Sequence, residues 1–201
     1  VDLQENGAAP VAPSALQAAT KVFVNNSFVD VSAPRALDIE ELPGIVDDFR
    51  QAAKNAVVAG FDGVEIHGAN GYLLDQFLKD GSNIRTDAYG GSVENRARLL
   101  LEVTAAVVDE IGADRTGIRL SPVSPANGVS STDPQQQFDY VVDQLDAFGL
   151  AYLHVVEGAT GGPRDVAPFD FGSLRHRCRS TYIANNGYDL RLATSRLNDD
   201  K

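Results

Sequence analysis

The sequence contains few of the residues that would indicate an extracellular, metal-binding or nucleic-acid-binding protein. It has one cysteine, Cys178, no methionine, no tryptophan and three histidines, with 17 Lys and Arg against 28 Asp and Glu. One cysteine excludes an internal disulfide, and the histidines lack metal-ligand spacing. A net charge of -11 disfavours nucleic acid and anionic membrane surfaces as partners. No stretch approaches the ~20 apolar residues of a membrane span. We therefore expect a cytoplasmic protein without a metal site.

The apolar residues follow helical and strand-like patterns in turn. Two β-prone runs in residues 21–31 flank Asn25-Asn26, which predicts a hairpin. Predicted helices then cover 39–58, 92–111 and 133–149, and predicted strands cover 61–66, 116–121, 151–156 and 182–184. Such repeated helix and strand units predict parallel strands, either in a barrel or in a doubly wound sheet.

Polar side chains follow the first predicted strand in the string HGANGYLLDQF. His67 and Asn70 could both donate hydrogen bonds to one carbonyl oxygen, while the phenol of Tyr72 could deliver a proton nearby. This set suits the polarisation of an enone. The alternative interpretation is a polar loop that only caps the following helix.

Further candidates follow the later strands. Arg119 lies near the end of the second strand and could hold an anionic group. The amides of Asn186 and Gly187 follow the fourth strand and could meet a phosphate. Because ligands gather at the carboxyl ends of parallel strands, we expect all these residues to converge on one face.

The string FDGVEIHGANGYLLDQFLKDGSNIRTDAYGGSVENRAR, residues 61–98, resembles the signature region of the Old Yellow Enzyme family. IRLSP at 118–122 and LHVVEGATGGPRD at 153–165 extend the resemblance. The family implies a (β/α)8 TIM barrel with FMN at its mouth, reduced by NADH or NADPH. It also implies hydride transfer from the flavin to the β-carbon of an activated alkene such as an enone. Nitro compounds and nitrate esters are further substrates that the family implies.

Carried over residue by residue, the resemblance assigns roles to the candidates. His67 and Asn70 would bind the substrate's electron-withdrawing oxygen, and Tyr72 would protonate the α-carbon. Arg119 would contact the flavin, and the amides of Asn186 and Gly187 would contact the FMN phosphate. A small molecule is the partner that this implies.

The resemblance also predicts a partial barrel that lacks the family's first three strands and the last. We expect one domain over 1–201, with a loop and hairpin at 1–35, helix and strand units at 36–188 and a tail at 189–201. Such a piece would expose two strand edges and an apolar interior, which predicts poor folding, self-association or pairing with the missing half. The alternatives to an ene-reductase are therefore a flavin-free inactive product or one half of a split enzyme.

Three further features receive structural interpretations. Residues 83–96 predict an ordered loop held by ion pairs rather than a phosphate loop. His154, within an apolar strand, predicts a barrel histidine with satisfied hydrogen bonds. His176 and Cys178 belong to a basic run that predicts a solvated helix face.

Overall fold

The computed structural model describes residues 4–199, and its amino-terminal part contains two small sheets. The strands in chain order are β1 (Val11–Ala12), β2 (Lys21–Val24), β3 (Ser27–Asp30) and β4 (Arg35–Ala36). β1 pairs in parallel with β4, and β2 pairs antiparallel with β3. Between β2 and β3, Asn25 and Asn26 have φ values of 51° and 61°, which asparagine tolerates. The predicted hairpin is confirmed.

A four-stranded parallel sheet with the order β5-β6-β7-β8 forms the rest of the fold. Its elements are α1 (Leu42–Val58), β5 (Val64–Gly68), α2 (Leu73–Leu78), α3 (Val93–Ile111), β6 (Thr116–Leu120), α4 (Pro134–Asp146), β7 (Tyr152–Val156), α5 (Phe171–Arg177), β8 (Thr181–Asn185) and α6 (Leu190–Asp199). Strands that follow one another in sequence are therefore neighbours in space. The predicted alternation of helices and parallel strands is confirmed.

Local capping residues explain where α3 begins and ends and where α4 begins. The hydroxyl of Ser92 accepts the Asn95 amide at 3.3 Å at the start of α3, and Gly112 with φ 93° follows its end. The carboxylate of Asp133 accepts the Gln136 amide at 3.0 Å at the start of α4. These side chains satisfy amides that have no partner within the helix.

The first predicted strand lies later in the chain than expected. The amide of Phe61 still bonds the carbonyl of Ala56 at 3.1 Å, so the chain completes the turn after α1 before it enters the sheet. β5 consequently covers Val64–Gly68 instead of 61–66. His67 therefore lies within the strand, not after it.

The predicted tail at 189–201 is wrong for most of its length. Residues Leu190–Asp199 form helix α6, and the carboxylate of Asp189 accepts the Leu192 amide at 2.7 Å at its start. Residues 200 and 201 lie outside the described residues. The signal for this helix in the sequence is the capping residue Asp189 followed by a short amphipathic pattern.

The basic run is only partly a solvated helix face. His176 is exposed near the end of α5, as predicted. Cys178 follows that helix and packs half-buried against the core, where burial raises the pKa of its thiol. The prediction for Cys178 is therefore wrong, because the chain turns inward towards β8 after Arg177.

The two faces of the parallel sheet differ in polarity. One face packs against the helices and contains buried apolar side chains: Ile66, Ile118, Leu120, Leu153 and Val155. The other, which we call the open face, contains Glu65, His67, Arg119, Tyr152 and His154. This difference follows from the alternation of side chains along each strand. The expected uncovered apolar interior is thus wrong, since polar residues occupy most of that face.

Helix α2 is anchored by a buried ion pair. The Lys79 amino group lies 3.0 Å from Asp75 Oδ2, and the side chains are 1% and 0% exposed. Lys79 also donates to the carbonyls of Ser121 at 2.9 Å and Ser124 at 3.2 Å. Asp75 Oδ2 accepts the Gly71 amide at 2.8 Å and the Ser121 hydroxyl at 3.3 Å. The pair therefore joins the loop after β5 to the loop after β6.

Substitution Lys79→Met is expected to destabilise the chain by about 3–5 kcal/mol, because it leaves Asp75 buried without its counter-charge. Urea unfolding followed by circular dichroism measures the change. The matched control is Lys54→Met, since Lys54 is 51% exposed and lies 3.3 Å from Glu110. An exposed pair of this kind contributes less than about 1 kcal/mol. Equal losses in the two variants would contradict the role of the buried pair.

Candidate functional site

Three nitrogen-bearing side chains lie side by side on the open face. His67 on β5 is the register partner of Arg119 on β6, and Arg119 is the partner of His154 on β7. All three are partly buried. Because the strands are parallel, their carboxyl ends lie together, where ligands bind in folds of this type. The structure thus brings His67 and Arg119 together, and it adds His154 to them.

The environment of His67 favours the neutral imidazole. Burial and the charge of Arg119 lower the pKa of His67 from its ordinary value. The ring of Tyr72 packs on the imidazole, with centroids 5.2 Å apart and an angle of 57° between the planes. Tyr72 itself is 57% exposed. A neutral imidazole with one N–H can donate to a ligand, and an accessible phenol lies beside it.

The backbone amide and carbonyl of Asn70 are both hydrogen-bonded, which holds the loop after β5 in place. Its φ is 60°, its amide donates to the Ser121 hydroxyl at 2.7 Å, and its carbonyl accepts from Asn127 Nδ2 at 2.8 Å. A Cβ at the next residue, Gly71, would lie 2.4 Å from the Ala126 carbonyl oxygen, so only glycine permits this approach. The loops after β5 and β6 are therefore in direct contact at Asn70.

Arg119 makes few contacts for a partly buried guanidinium. One of its terminal nitrogens donates to Asn185 Oδ1 at 3.2 Å, at the end of β8. Its Nε is buried and has no hydrogen-bond partner among residues 4–199. A buried donor without a partner is available to donate a hydrogen bond to a bound molecule. Arg119 is therefore suited to an anionic or oxygen-bearing ligand.

The loop after β8 presents two adjacent backbone amides. Asn186 and Gly187 have φ values of 122° and 62°. The side chain of Asn186 holds this geometry by donating to the carbonyls of Glu157 at 2.6 Å and Gly162 at 3.3 Å. Neither amide donates to an acceptor within the described part of the chain. A Cβ at Gly187 would meet nothing within 4 Å, so the loop is open to a ligand such as a phosphate.

A cluster around Glu157, which the sequence analysis missed, fixes this loop. The Glu157 carboxylate lies 2.9 Å from Arg164 and accepts the Tyr188 hydroxyl at 2.8 Å. Arg164 also donates to the carbonyl of Asn186 and stacks over the Tyr188 ring at 4.0 Å. Burial, followed by the charge of Glu157, raises the pKa of Tyr182 beside it. No local signal predicts these contacts, because they join separate loops.

Towards the amino-terminal end of the open face, Glu65 on β5 contacts His154 on β7. His154 Nδ1 lies 2.8 Å from the Glu65 carboxylate, but its Nε2 is buried without a partner among the described residues. The prediction of a satisfied histidine is therefore only half right. Burial, followed by the charge of Glu65, raises the pKa of the neighbouring Tyr152. Its ring lies over Gly117, where a Cβ would come within 2.2 Å of it.

The segment at 83–96 is ordered, as predicted, but by one ion pair together with hydrogen bonds to backbone carbonyls. Arg85 lies 2.6 Å from Asp87 and donates to the carbonyl of Leu37 at 2.5 Å. Asn83 donates to the carbonyl of Tyr89 at 2.8 Å. Its charged groups thus hold the loop against the amino-terminal segment.

The described residues provide neither a cluster of metal ligands nor a membrane-spanning helix. Residues 4–199 contain no group of three or more His, Cys, Asp or Glu side chains placed to hold a metal ion. No helix in that part of the chain is long and apolar enough to cross a membrane.

The sequence is similar to a known family over most of its length. The model of the NADH:flavin oxidoreductase / NADH oxidase family matches residues 1–192. The chain is 47% identical over 196 residues to 12-oxophytodienoate reductase 1 of Oryza sativa subsp. japonica, covering 94% of this chain and 49% of that protein. It is 49% identical over 192 residues to chanoclavine-I aldehyde reductase of Penicillium roqueforti, covering 92% and 52%. The chain spans about half the length of these relatives.

Solved structures give the same result. The old yellow enzyme homologue from Zymomonas mobilis superposes with a TM-score of 0.92 at 40% identity, over 96% of this chain and 55% of that one. Morphinone reductase superposes with a TM-score of 0.90 at 43% identity, over 98% and 55%. One structure of morphinone reductase contains tetrahydroNAD. The predicted fold class, part of a β/α barrel, is confirmed.

The charge of Arg119 provides a test of the geometry around His67. Substitution Arg119→Gln is expected to raise the pKa of His67, because it removes a positive charge that disfavours the imidazolium. NMR titration of the His67 ring measures the midpoint. The control is Arg115→Gln, an exposed residue at the opposite end of β6, which is expected to leave the midpoint unchanged. A midpoint that is the same in the wild type and in Arg119→Gln would show that the guanidinium does not act on His67.

Proposed function

The chain belongs to the NADH:flavin oxidoreductase / NADH oxidase family, and we propose that it forms the substrate-reducing site of an FMN-dependent ene-reductase. The observation that carries this proposal is the placement of His67, Asn70, Tyr72 and Arg119 around one open face, at the carboxyl ends of β5 and β6. Two donors, an accessible phenol and a guanidinium with an unpartnered nitrogen form a set suited to the reduction of an activated alkene.

Three residues are proposed to hold FMN. Arg119 supports this because its buried Nε lacks a partner within the described residues, so the site has a donor available for a ring oxygen or nitrogen. Asn186 and Gly187 support it because neither amide donates to an acceptor among the described residues, and the exposed Gly187 leaves space at the end of β8 where a phosphate could bind. When bound, FMN supplies the hydride that it has received from NADH or NADPH.

His67 and Asn70 are proposed to bind the electron-withdrawing oxygen of the substrate. The lowered pKa of His67 keeps the imidazole neutral at neutral pH, so its N–H donates without giving up a proton. The Asn70 carboxamide provides the second donor from a backbone fixed by Ser121 and Asn127. Two donors on one oxygen withdraw electron density from the conjugated double bond and stabilise the negative charge that develops there.

Tyr72 is proposed to give the proton to the α-carbon. Its ring packs on His67, and more than half of its surface is accessible. A phenol in this position can reach a ligand held by His67 and Asn70. The proposed substrates are enones, and also nitro compounds or nitrate esters, since each places an acceptor oxygen next to the reducible bond.

The proposed setting of the protein is cytoplasmic. We infer that nucleic acid and membrane surfaces are not partners, because the net charge of -11 opposes binding to polyanions.

The outer edges of β5 and β8 carry no strand partner among the described residues. Exposed edges favour association between copies.

Sedimentation at micromolar concentration tests the association. We expect a species larger than a monomer, because backbone groups along β5 and β8 are available for pairing. A monodisperse monomer with a cooperative melting transition would contradict this prediction.

The proposed chemistry is tested by separating the two half-reactions. After loading with FMN, the Tyr72→Phe variant is expected to be reduced by NADPH at the wild-type rate. Its oxidation by 2-cyclohexenone is expected to slow by about 10²-fold or more, since general acid catalysis contributes about 10²–10⁴-fold. Stopped-flow absorbance measures both steps. Tyr140→Phe is the control, because Tyr140 lies on α4, which packs on the helical side of the sheet. Unchanged oxidation in Tyr72→Phe would refute the role of the phenol.

A further inference from the structure

The carboxamide of Asn70 contacts a residue that the proposed function does not use. Thr160, in the loop after β7, donates from its hydroxyl to Asn70 Oδ1 at 2.6 Å. The two residues are 90 positions apart in the chain. Within the described part of the chain the hydrogen bonds of Asn70 use its backbone amide, its carbonyl and Oδ1, and none uses Nδ2. The residue is only partly buried. The amide oxygen is therefore occupied while the amide nitrogen remains available.

Ser124 favours one direction of this hydrogen bond. Its hydroxyl oxygen accepts the Thr160 amide at 3.1 Å and the Ala126 amide at 3.4 Å. The Ser124 and Thr160 hydroxyls lie 2.8 Å apart. Because Ser124 already accepts two amides, its proton is directed to Thr160, which leaves the Thr160 proton for the Asn70 oxygen 2.6 Å away. The chain of donors thus ends on the Asn70 oxygen.

We propose that Thr160 is a positioning residue for Asn70: its hydroxyl, oriented by Ser124, fixes the Asn70 carboxamide with the NH₂ group free for an oxygen of the ligand. The functional consequence rests on the proposed function, in which Asn70 is a donor. A carboxamide rotated by a half-turn would present its oxygen, which repels the oxygen of a carbonyl or nitro group. Thr160 therefore selects ligands that accept hydrogen bonds.

The orientation can be measured in the chain without a flavin. In a sample with ¹⁵N- and ¹³C-labelled asparagine, the Asn70 side-chain signals are identified by their loss in Asn70→Asp. The proposal predicts rapid solvent exchange of the Asn70 NH₂ protons and only weak nuclear Overhauser effects from them to Thr160. In Thr160→Val the ¹⁵N order parameter of this group is expected to fall, and in Thr160→Ser, which keeps the hydroxyl, it is expected to recover.

Ligand affinity provides a second measurement in the FMN-loaded chain. The dissociation constant of 2-cyclohexenone, followed by the change in flavin absorbance, is expected to rise about fivefold in Thr160→Val, which corresponds to one hydrogen bond of about 1 kcal/mol. Thr160→Ser is expected to bind as the wild type does. The matched control is Thr132→Val, because Thr132 is exposed and its hydroxyl bonds none of the described residues; it is expected to leave the constant unchanged.

Either of two NMR results would overturn the proposal. One is a strong effect between the Asn70 NH₂ protons and Thr160, which would mean that the nitrogen faces the threonine. The other is an unchanged order parameter in Thr160→Val, which would mean that the hydroxyl does not hold the amide. Because these measurements need no flavin, they decide the role of Thr160 even where FMN uptake, and with it the proposed function, fails.

Discussion

The site depends on one buried ion pair. Lys79 and Asp75 lie almost completely within the protein, and burial raises the pKa of Asp75 because a lone carboxylate there would be unfavourable. The amino group of Lys79 offsets that cost. The pair also holds Gly71 on one side and the carbonyls of Ser121 and Ser124 on the other. The loop that contains Asn70 and the loop that contains Ser124 are thereby fixed to one another.

The parallel register provides the second constraint on the site. Neighbouring strands in this sheet are aligned so that His67, Arg119 and His154 form one row. Their proximity has an electrostatic consequence, since Arg119 opposes protonation of His67. The same alternation that buries Ile66 and Ile118 against the helices turns these polar residues to the open face. The sheet therefore provides a donor-rich surface as a direct result of its packing.

Features that depend on local sequence could be predicted. Capping residues predict the starts of α3 at Ser92 and of α4 at Asp133. Turn residues predict the hairpin at Asn25-Asn26, and apolar periodicity predicts the four parallel strands. The placement of His67 and Arg119 near the carboxyl ends of neighbouring strands follows from the rule that ligands gather there in parallel sheets. These signals need only a few neighbouring residues.

Features that depend on contacts between distant segments could not be predicted. The hydrogen bond from Thr160 to Asn70 and the ion pair between Glu157 and Arg164 join separate loops, whose approach is fixed only by the folded sheet. The polarity of the open face was also missed, because strand residues were assigned to a generic apolar interior. Once the register is known, polar residues such as Glu65 and His154 are seen to lie on the open face, which is therefore not apolar.

Equilibrium titration of the chain with FMN decides whether these residues form a flavin site. Quenching of flavin fluorescence measures the binding, with Arg119→Gln as the comparison. We expect saturable binding of one FMN per chain and weaker binding by Arg119→Gln, since this variant lacks the guanidinium proposed to contact the flavin. Absence of saturable binding by the folded wild-type chain, or equal affinity of the two proteins, would contradict this expectation.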